Sequence, residues 1–593
     1  MRYVVVGGGV AGVCCVEELC RLCPDDSVVL VSAAKVLKGV TVVARLSRTL
    51  EELATVERQL DELPYPNLTV VHDAAVGIDT GAQAVRLASG QRLPYDKLCV
   101  CAGARPKQLP PSVFTTSTAA PGQSSSEAEA ERQCQLAAMK ARVLTIRDTD
   151  SVSRLGAQLA HATRVAVVGN GGIALELIAG LSGVDVTWVM RHEHIGDAFF
   201  DLDAAQFLLE ELQRQREQGQ LQDQQQGHLQ GLQRGQQQQG QVQQVQQGVQ
   251  QQQGQGQQQH QHQQGQQQQG QGQQVQQQGQ AAAAEPSGSA AASPTKEASQ
   301  AGRQQLLDGR EAIPVLGHAV GPHWVQQLLP AAVVAGAGGR VSTLHHGRVE
   351  LKYGCEVASI ELAPQPDSQA DGNAGSDAGS SKHSPALLLT LTGGEQVPAD
   401  LVLLAIGVSP ALEWVPARLQ RAPDGGLKLD RLMRSSDPCI FAAGDSASCC
   451  WAATDSAHWF QMRLWSQARA MGVYAAHCMS GVQDQRGADM AFELFTHATH
   501  FLGHKVVLLG LYNGQRLDGE PHGDLISYSR VTEGPQRTFV RLLLLRGRVQ
   551  GVVLIGDTGL EETFENLILD QLDVSQYGPS LLDPDFELDH VFD

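Results

Sequence analysis

One short pattern occurs twice in this chain and limits what it can fold into. Residues 2–12 read "RYVVVGGGVAG" and residues 164–174 read "RVAVVGNGGIA". Each begins with a β-branched run, the mark of a strand buried on both faces of a parallel sheet. A glycine turn and a helix follow. In the first copy Gly7, Gly9 and Gly12 stand at G-x-G-x-x-G spacing; in the second Gly169 and Gly171 are followed by Ala174 in third place. The first glycine permits the tight turn, and the second lets the backbone approach a pyrophosphate. The third lets helix and strand pack closely, while the helix N-terminus supplies N–H groups and a positive dipole end. Another apolar strand follows each helix, "SVVLVSA" (27–33) and "DVTWVM" (185–190). One such motif is weak evidence. Two in order, with matching strands, predict two dinucleotide folds and two dinucleotides.

Four of the twelve cysteines fall in "VAGVCCVEELCRLC" (10–23). On the first glycine helix, Cys14, Cys15 and Cys20 occupy positions where a small apolar residue must lie against the sheet, a role cysteine often fills. Cys20 and Cys23 spell C-x-x-C, but eleven residues of helix place Cys20 roughly 16 Å from Gly9. No second cysteine or histidine pair follows at zinc-finger spacing, so no metal site is expected. Packing is the stronger reading against a redox or metal role.

The 593 residues imply more than one domain. A net charge of -19 and a pI near 5.4 argue against direct binding to nucleic acid or an anionic membrane. No signal peptide and no run of eighteen apolar residues is evident. Cysteines scattered without a framework suit a reducing compartment, cytosol or nucleus. Three stretches lack the apolar residues to offset the entropy of ordering: 115–131, the Gln/Gly tract from 213 running through Ala/Ser/Pro to 302, and 363–385. Long surface insertions of this kind cost little in loop closure.

Three further segments sharpen the reading. "YDKLCVCAGARPK" (95–107) and "ADLVLLAIGVSP" (399–410) are apolar strands ending in a glycine turn and a proline, around Ala102, Gly103 and Gly407. "LKLDRLMRSSDPCIFAAGDSA" (427–447) ends a strand on Gly444-Asp445. With the two glycine turns, these segments resemble the pyridine nucleotide-disulphide oxidoreductase superfamily of two-dinucleotide flavoproteins. The resemblance implies an α/β protein with two Rossmann-like domains, the first for FAD and the second for NAD(P)H, plus a C-terminal α+β module. Its chain order implies FAD-domain residues 1–112 and 411–485 around a linker (113–142) and a nicotinamide domain (143–212 and 303–410). The Gln-rich insertion (213–302) interrupts the latter, and the module spans 486–593.

The cofactor-binding residues so implied are Gly7, Gly8, Gly9, Val10, Ala11 and Gly12 in the first turn and Gly169, Gly171, Gly172 and Ile173 in the second. Ala102, Gly103, Gly407, Gly444 and Asp445 join them, the last as a carboxylate for a ribityl hydroxyl or a pyrophosphate-bridging water. Ser32 departs from the pattern. A carboxylate usually ends the second strand and holds the ribose; a serine there offers a weaker contact. In the second fold Arg191 and His192 follow the strand, donors suited to a 2′-phosphate. They resemble the Arg-His pair of glutathione reductase, although the further arginine of that pattern is Asp197 here. NADPH is therefore favoured over NADH. Lys38 and Glu176 stand where the members that lack a disulphide pair a lysine and a glutamate beneath the flavin. A lysine desolvated there would favour a negatively charged reduced flavin. The plainer reading is a loop lysine or a structural salt bridge. A helix over 460–478 is expected to point its N-terminus at the flavin.

The stretch after the second strand, "AAKVLKGVTVVARLSRTLEEL", contains no cysteine, and neither do residues 143–212. The superfamily's redox cysteine pair is thus missing from both of its usual places, and the C-terminal His-x-Pro pattern is absent too. Cys449 and Cys450, just after Asp445, are an adjacent pair in a loop expected near the flavin; an incidental role is the stronger reading. "FELFTHATHFLGHKVVLLGLYN" (492–513) and "GVVLIGDTGLEETFENLILDQLDVSQYGPSLLDP" (551–584) resemble a eukaryotic subgroup of the superfamily without that pair. This implies an FAD-dependent NAD(P)H oxidoreductase of cytoplasm and nucleus with an unidentified electron acceptor. The same resemblance implies the alternative of a redox-dependent binding protein that protects a partner such as a tRNA ligase complex. The oligomeric state stays open.

Overall fold

A computed structural model describes residues 1–116, 125–215, 217, 347–364, 386–451, 456–482, 492–534, 536–583 and 586. All belong to one compact unit. Most of the Gln/Gly/Ala-rich insertion and of the 363–385 loop lies outside the described residues.

Two parallel five-stranded sheets organise the chain, and they are built alike. In the first the order is Ile440–Ala442, Lys97–Val100, Arg2–Val6, Ser27–Ser32 and Leu68–His72. In the second it is Val143–Thr145, Leu401–Leu404, Arg164–Val168, Asp185–Val189 and Val349–Lys352. Each glycine motif leaves from the central strand, so its turn opens at the carboxyl edge of the sheet. The β-branched run explains the central placement: Val4, Val5 and Val6 are buried, as are Val165, Val167 and Val168. A three-stranded antiparallel meander accompanies each sheet, at Ala75–Pro94 in one and Val357–Ala399 in the other. The two domains are joined by the antiparallel pair Ala104–Pro106 with Val408–Pro410.

The C-terminal module is a five-stranded antiparallel sheet with Thr496–Phe501 at one edge and Leu525–Thr532 at the other, backed by the helix Glu561–Asp570. A two-stranded hairpin, Val36–Arg45 with Glu51–Gln59, runs from the first glycine turn to this module. Its tip is held there by Glu565, which accepts from the Ser47 hydroxyl and, at 3.0 Å, from the Thr49 N–H. Leu50 joins the module's own apolar core. Among the described residues no helix is long and apolar enough to cross a membrane.

Three expectations need correction. The stretch read as a linker carries the helix Ser125–Ala141, because Ala, Glu, Gln and Lys are strong helix formers. It anchors by burying Met139. The helix before the insertion runs past 212 to 215, with Gln215 Nε2 donating to Leu502 O at 3.2 Å. The helix expected over 460–478 spans Trp465–Ser480 instead. The Gln467 amide keeps the preceding residues extended, accepting from Met462 N at 2.8 Å and donating to Phe460 O at 2.9 Å.

Candidate functional site

The two glycine turns have the same backbone. Gly7 has φ +127° and Gly169 φ +129°, a region that L side chains rarely adopt. A Cβ on Gly7 would collide with the Cys101 carbonyl, and one on Gly169 with that of Ala405. Both turns are pinned by the neighbouring strand, Gly7 N–H to Val31 O at 2.8 Å and Gly169 N–H to Val189 O at 3.0 Å. Gly9 and Gly171 are the helix N-caps, and neither helix has a side-chain cap. Nothing stands within 4 Å of where their Cβ atoms would be. Each helix therefore presents uncapped N–H groups past a residue without a side chain. This cradle fits a pyrophosphate.

Around the first turn, Val10 and Ala11 begin the helix Val10–Leu22. A Cβ on Gly12 would collide with the Gly7 carbonyl, so the third glycine is a steric necessity here. Gly444 has φ +68°, and a Cβ there would stand 2.9 Å from Ala11 Cβ. Gly472 of the helix Trp465–Ser480 packs so closely that its Cβ would strike the Ala11 carbonyl. The first glycine helix is thereby clasped on both sides. Asp445, beside Gly444, has its pKa raised by burial, partly opposed by Arg463. Arg463 donates to the Asp445 backbone carbonyl at 3.2 Å and to the Asp424 carboxylate at 2.7 Å. Among the described residues the Asp445 carboxylate accepts no hydrogen bond, which leaves its acceptor capacity open to a ligand. Ala102 and Gly103 end the strand beside the turn, and Gly103 O accepts from Ala411 N at 3.0 Å. Gly407, with φ +91°, makes the matching bond, its carbonyl accepting from Lys107 N at 2.9 Å.

Ser32 differs from its expected use. It is 1% exposed. Its hydroxyl exchanges bonds with the Ala34 backbone at 3.1 and 3.2 Å and fills the space a Gly8 side chain would need. The serine therefore shapes the turn from beneath and is not offered to a ribose.

Lys38 lies near the start of the hairpin, and its N–H donates to Gly8 O at 2.9 Å, which ties the hairpin to the first turn. Burial lowers the pKa of its side chain; Glu57 and Asp148 oppose the shift, and Arg147 adds to it. Glu57 is its register partner across the hairpin and also accepts from Thr149 Oγ1. Asp148 caps the helix Thr149–Leu159. Glu176 lies on the second glycine helix, only 7% exposed.

At the second turn the polar residue Asn170 replaces Gly8, and sequence reasoning overlooked it. Its amide donates to His194 O and to Asp197 Oδ1, both at 2.8 Å, and its oxygen accepts from Gly196 N at 2.7 Å. It thus clamps the loop that carries Arg191 and His192. The signal was present: "GNGG" has a branched amide where the first turn has glycine. His192 Nδ1 lies 2.8 Å from Asp197 Oδ1, and Arg191 Nε is 3.2 Å from His192 Nε2. The two basic residues lie against each other, and Asp197 joins them as a counter-charge. Gly172 and Ile173 open the helix, with Phe501 of the C-terminal module 3.5 Å from where a Gly172 Cβ would be.

The cysteines are thiols. Burial pushes Cys14 and Cys20 up to about 12, the behaviour of inert packing residues. Cys99 lies against Cys101, sulphur to sulphur at 3.5 Å, and both are buried behind the first turn. Burial also raises Cys449, while Cys450 is exposed. Among the described residues no three His, Cys, Asp or Glu side chains are grouped to hold a metal.

Twin parallel sheets, each with an open glycine cradle at its carboxyl edge, define a two-dinucleotide oxidoreductase. The sequence pattern of the pyridine nucleotide-disulphide oxidoreductases matches residues 1–224 and 368–472, and the chain belongs to that family. It is 32% identical over 603 residues to the pyridine nucleotide-disulfide oxidoreductase domain-containing protein 1 of Mus musculus, covering 100% of this chain and 98% of the relative. The protein of that name from Danio rerio is 33% identical over 600 residues, with the same coverage. Among solved structures, the putidaredoxin reductase–putidaredoxin complex superposes with a TM-score of 0.56 at 16% identity, covering 100% of this chain and 98% of that one. The water-forming NADH oxidase from Lactobacillus brevis does so with 0.54 at 14%, covering 99% and 94%. FAD and NAD(P)H are the cofactors.

Proposed function

We propose that this chain is an oxidoreductase that takes electrons from NAD(P)H and delivers them to an acceptor outside its own chain, in cellular redox protection in cytoplasm and nucleus. One observation carries the reading: two matched, open glycine cradles stand in a chain with no cysteine in the stretch 33–53 directly after the second strand, where the superfamily keeps its redox pair. When bound, FAD supplies a two-electron relay between the nicotinamide and the acceptor.

The chain's own residues have four tasks in this reading. Gly7 to Gly12 hold the FAD pyrophosphate, with Asp445 for its polyol or bridging water and the Ala102, Gly103 and Gly407 turns around it. Gly169, Gly171, Gly172 and Ile173 hold the nicotinamide dinucleotide. Lys38 brings a cation to the flavin side; burial lowers its pKa, so an anion nearby stabilises it and is stabilised in return. Glu176 supplies the matching carboxylate. Arg191 and His192 favour the 2′-phosphate of NADPH, and Asp197 limits that preference by repelling it. The acceptor class is a thiol partner, a quinone or oxygen.

Anaerobic reduction of the FAD-loaded protein by NADPH and then by NADH, followed by air, tests this. Fast bleaching by one nucleotide is expected, faster with NADPH, and the rate of reoxidation in air separates oxygen from another acceptor. A protein that holds FAD but is bleached by neither nucleotide would overturn the reading.

A further inference from the structure

A cavity of about 180 Å³ lies where the hairpin tip, the helix Trp465–Ser480 and the first strand of the C-terminal module meet. No residue of either glycine cradle lines it. Its walls combine a ring-sized apolar surface with a polar corner of similar extent. Leu50, Trp459 and Phe492 are among the apolar walls, all buried. In the polar corner Ser466 Oγ lies 3.0 Å from His497 Nδ1. His497 is 2% exposed. We propose that this cavity binds a small neutral ring bearing one hydrogen-bonding oxygen, a ligand of the phenol class, against the Ser466–His497 pair.

Size, charge and hydrogen bonding all point the same way. A dry cavity of roughly 150 Å³ holds a benzene ring, so the volume suits one six-membered ring with a substituent. The charged groups of the wall are already matched, with Arg469 Nη1 2.8 Å from Glu51 Oε2. An ionic ligand would have to break that pair, whereas a neutral one leaves it intact. His497 faces Ser466 and the Trp465 ring. Burial keeps its imidazole neutral, with a pKa lowered to about 4. A serine hydroxyl offers one proton and two lone pairs; after its bond to His497, capacity for a ligand oxygen remains.

The test is a titration of the full-length protein with phenol at neutral pH, read by calorimetry, with toluene as the ring of similar size that lacks the hydroxyl. One saturable phenol site is expected, with toluene at least about fivefold weaker. Ala498→Leu, which puts a larger side chain into the wall, should weaken phenol at least about tenfold. Ser466→Ala should weaken it by about threefold to tenfold, with FAD content unchanged and a modest fall in thermal midpoint from the lost bond to His497. If Ala498→Leu fails to fold, the serine variant and the toluene comparison still decide. Absence of saturable phenol binding overturns the proposal, as does equal affinity for toluene or unchanged affinity in Ser466→Ala. None of these readouts depends on electron transfer, so the cavity and the oxidoreductase reading stand or fall separately.

Discussion

At Gly7 and at Gly169 the chain takes the same positive φ, +127° and +129°, yet the next residue is used in opposite ways. Gly8 is bare because Ser32 already fills the space beside it, so the floor of the first turn is sealed from below. Asn170 has a side chain that leaves the turn and holds the loop 194–197 with three hydrogen bonds. The first cradle is rigid because helices and strands crowd it: Gly12, Gly444 and Gly472 all stand where a Cβ would meet a neighbour. The second is held by polar contacts from one residue. A cradle fixed by packing suits a cofactor that stays, and a cradle fixed by an amide clamp suits one that comes and goes.

The largest effect should come from breaking the packed cradle. Gly12→Ala forces the helix Val10–Leu22 away from the Gly7 carbonyl, a backbone atom that cannot give way as a flexible side chain would. A loss of about 3 kcal/mol is expected from overpacking, together with loss of bound FAD, read by urea unfolding and by flavin absorbance. Full FAD content in this variant would break the comparison.

The strand Thr496–Phe501 serves both cradles, with His497 behind the helix that clasps the first and Phe501 beside the second glycine helix. His497 has its pKa lowered from 6.5 to about 4 by burial. The unfolded chain therefore binds more protons between those values, so stability is full above pH 6.5 and is lost as pH falls towards 4. Unfolding free energy should drop by about 2–3 kcal/mol between pH 7 and pH 4.5 through this residue. His497→Gln should flatten that part of the profile in urea titrations at both pH values. An equally steep profile in the variant would show that the acid sensitivity arises elsewhere.

Much of this arrangement was legible in the sequence because it rests on backbone demands. A glycine at positive φ, a β-branched central strand and a helix N-terminus leave their mark on local residue choice, so Gly7, Gly169 and both sheets could be read directly. Ser32 could not: its hydroxyl is set by the turn to Ala34 and by the bare Gly8, a contact between separate segments. Asp197 was seen only as a missing arginine, because its partnership with His192 depends on how Asn170 folds the loop. The helix in the linker was hidden by composition, since residues that lack a core can still favour a helix on propensity alone.

The amide-clamped cradle offers a finer test. Asp197→Arg should turn the counter-charge of His192 into a donor and raise the preference for NADPH over NADH by roughly tenfold, measured as the ratio of flavin reduction rates. Asn170→Ala should weaken both nucleotides together by a few-fold, because the loop loses its hold without any change of charge. A change of preference in Asn170→Ala would mean that the clamp itself reads the phosphate.

The smallest effect should come from making the two cradles more alike. Ala174 stands where the first cradle has Gly12, and it is fully buried; its methyl is accommodated where one on Gly12 would strike the Gly7 carbonyl. Ala174→Gly removes that methyl from a helix interior and should cost about 1 kcal/mol, with NAD(P)H affinity unchanged. A rise in affinity would mean that the methyl props the second cradle open and that Gly12 is needed for tight cofactor binding as well as for fit. Unchanged affinity at that small cost would mean that the third position sets only how closely the helix approaches its turn, and that Asn170 and the loop it clamps determine how the second cradle holds its nucleotide.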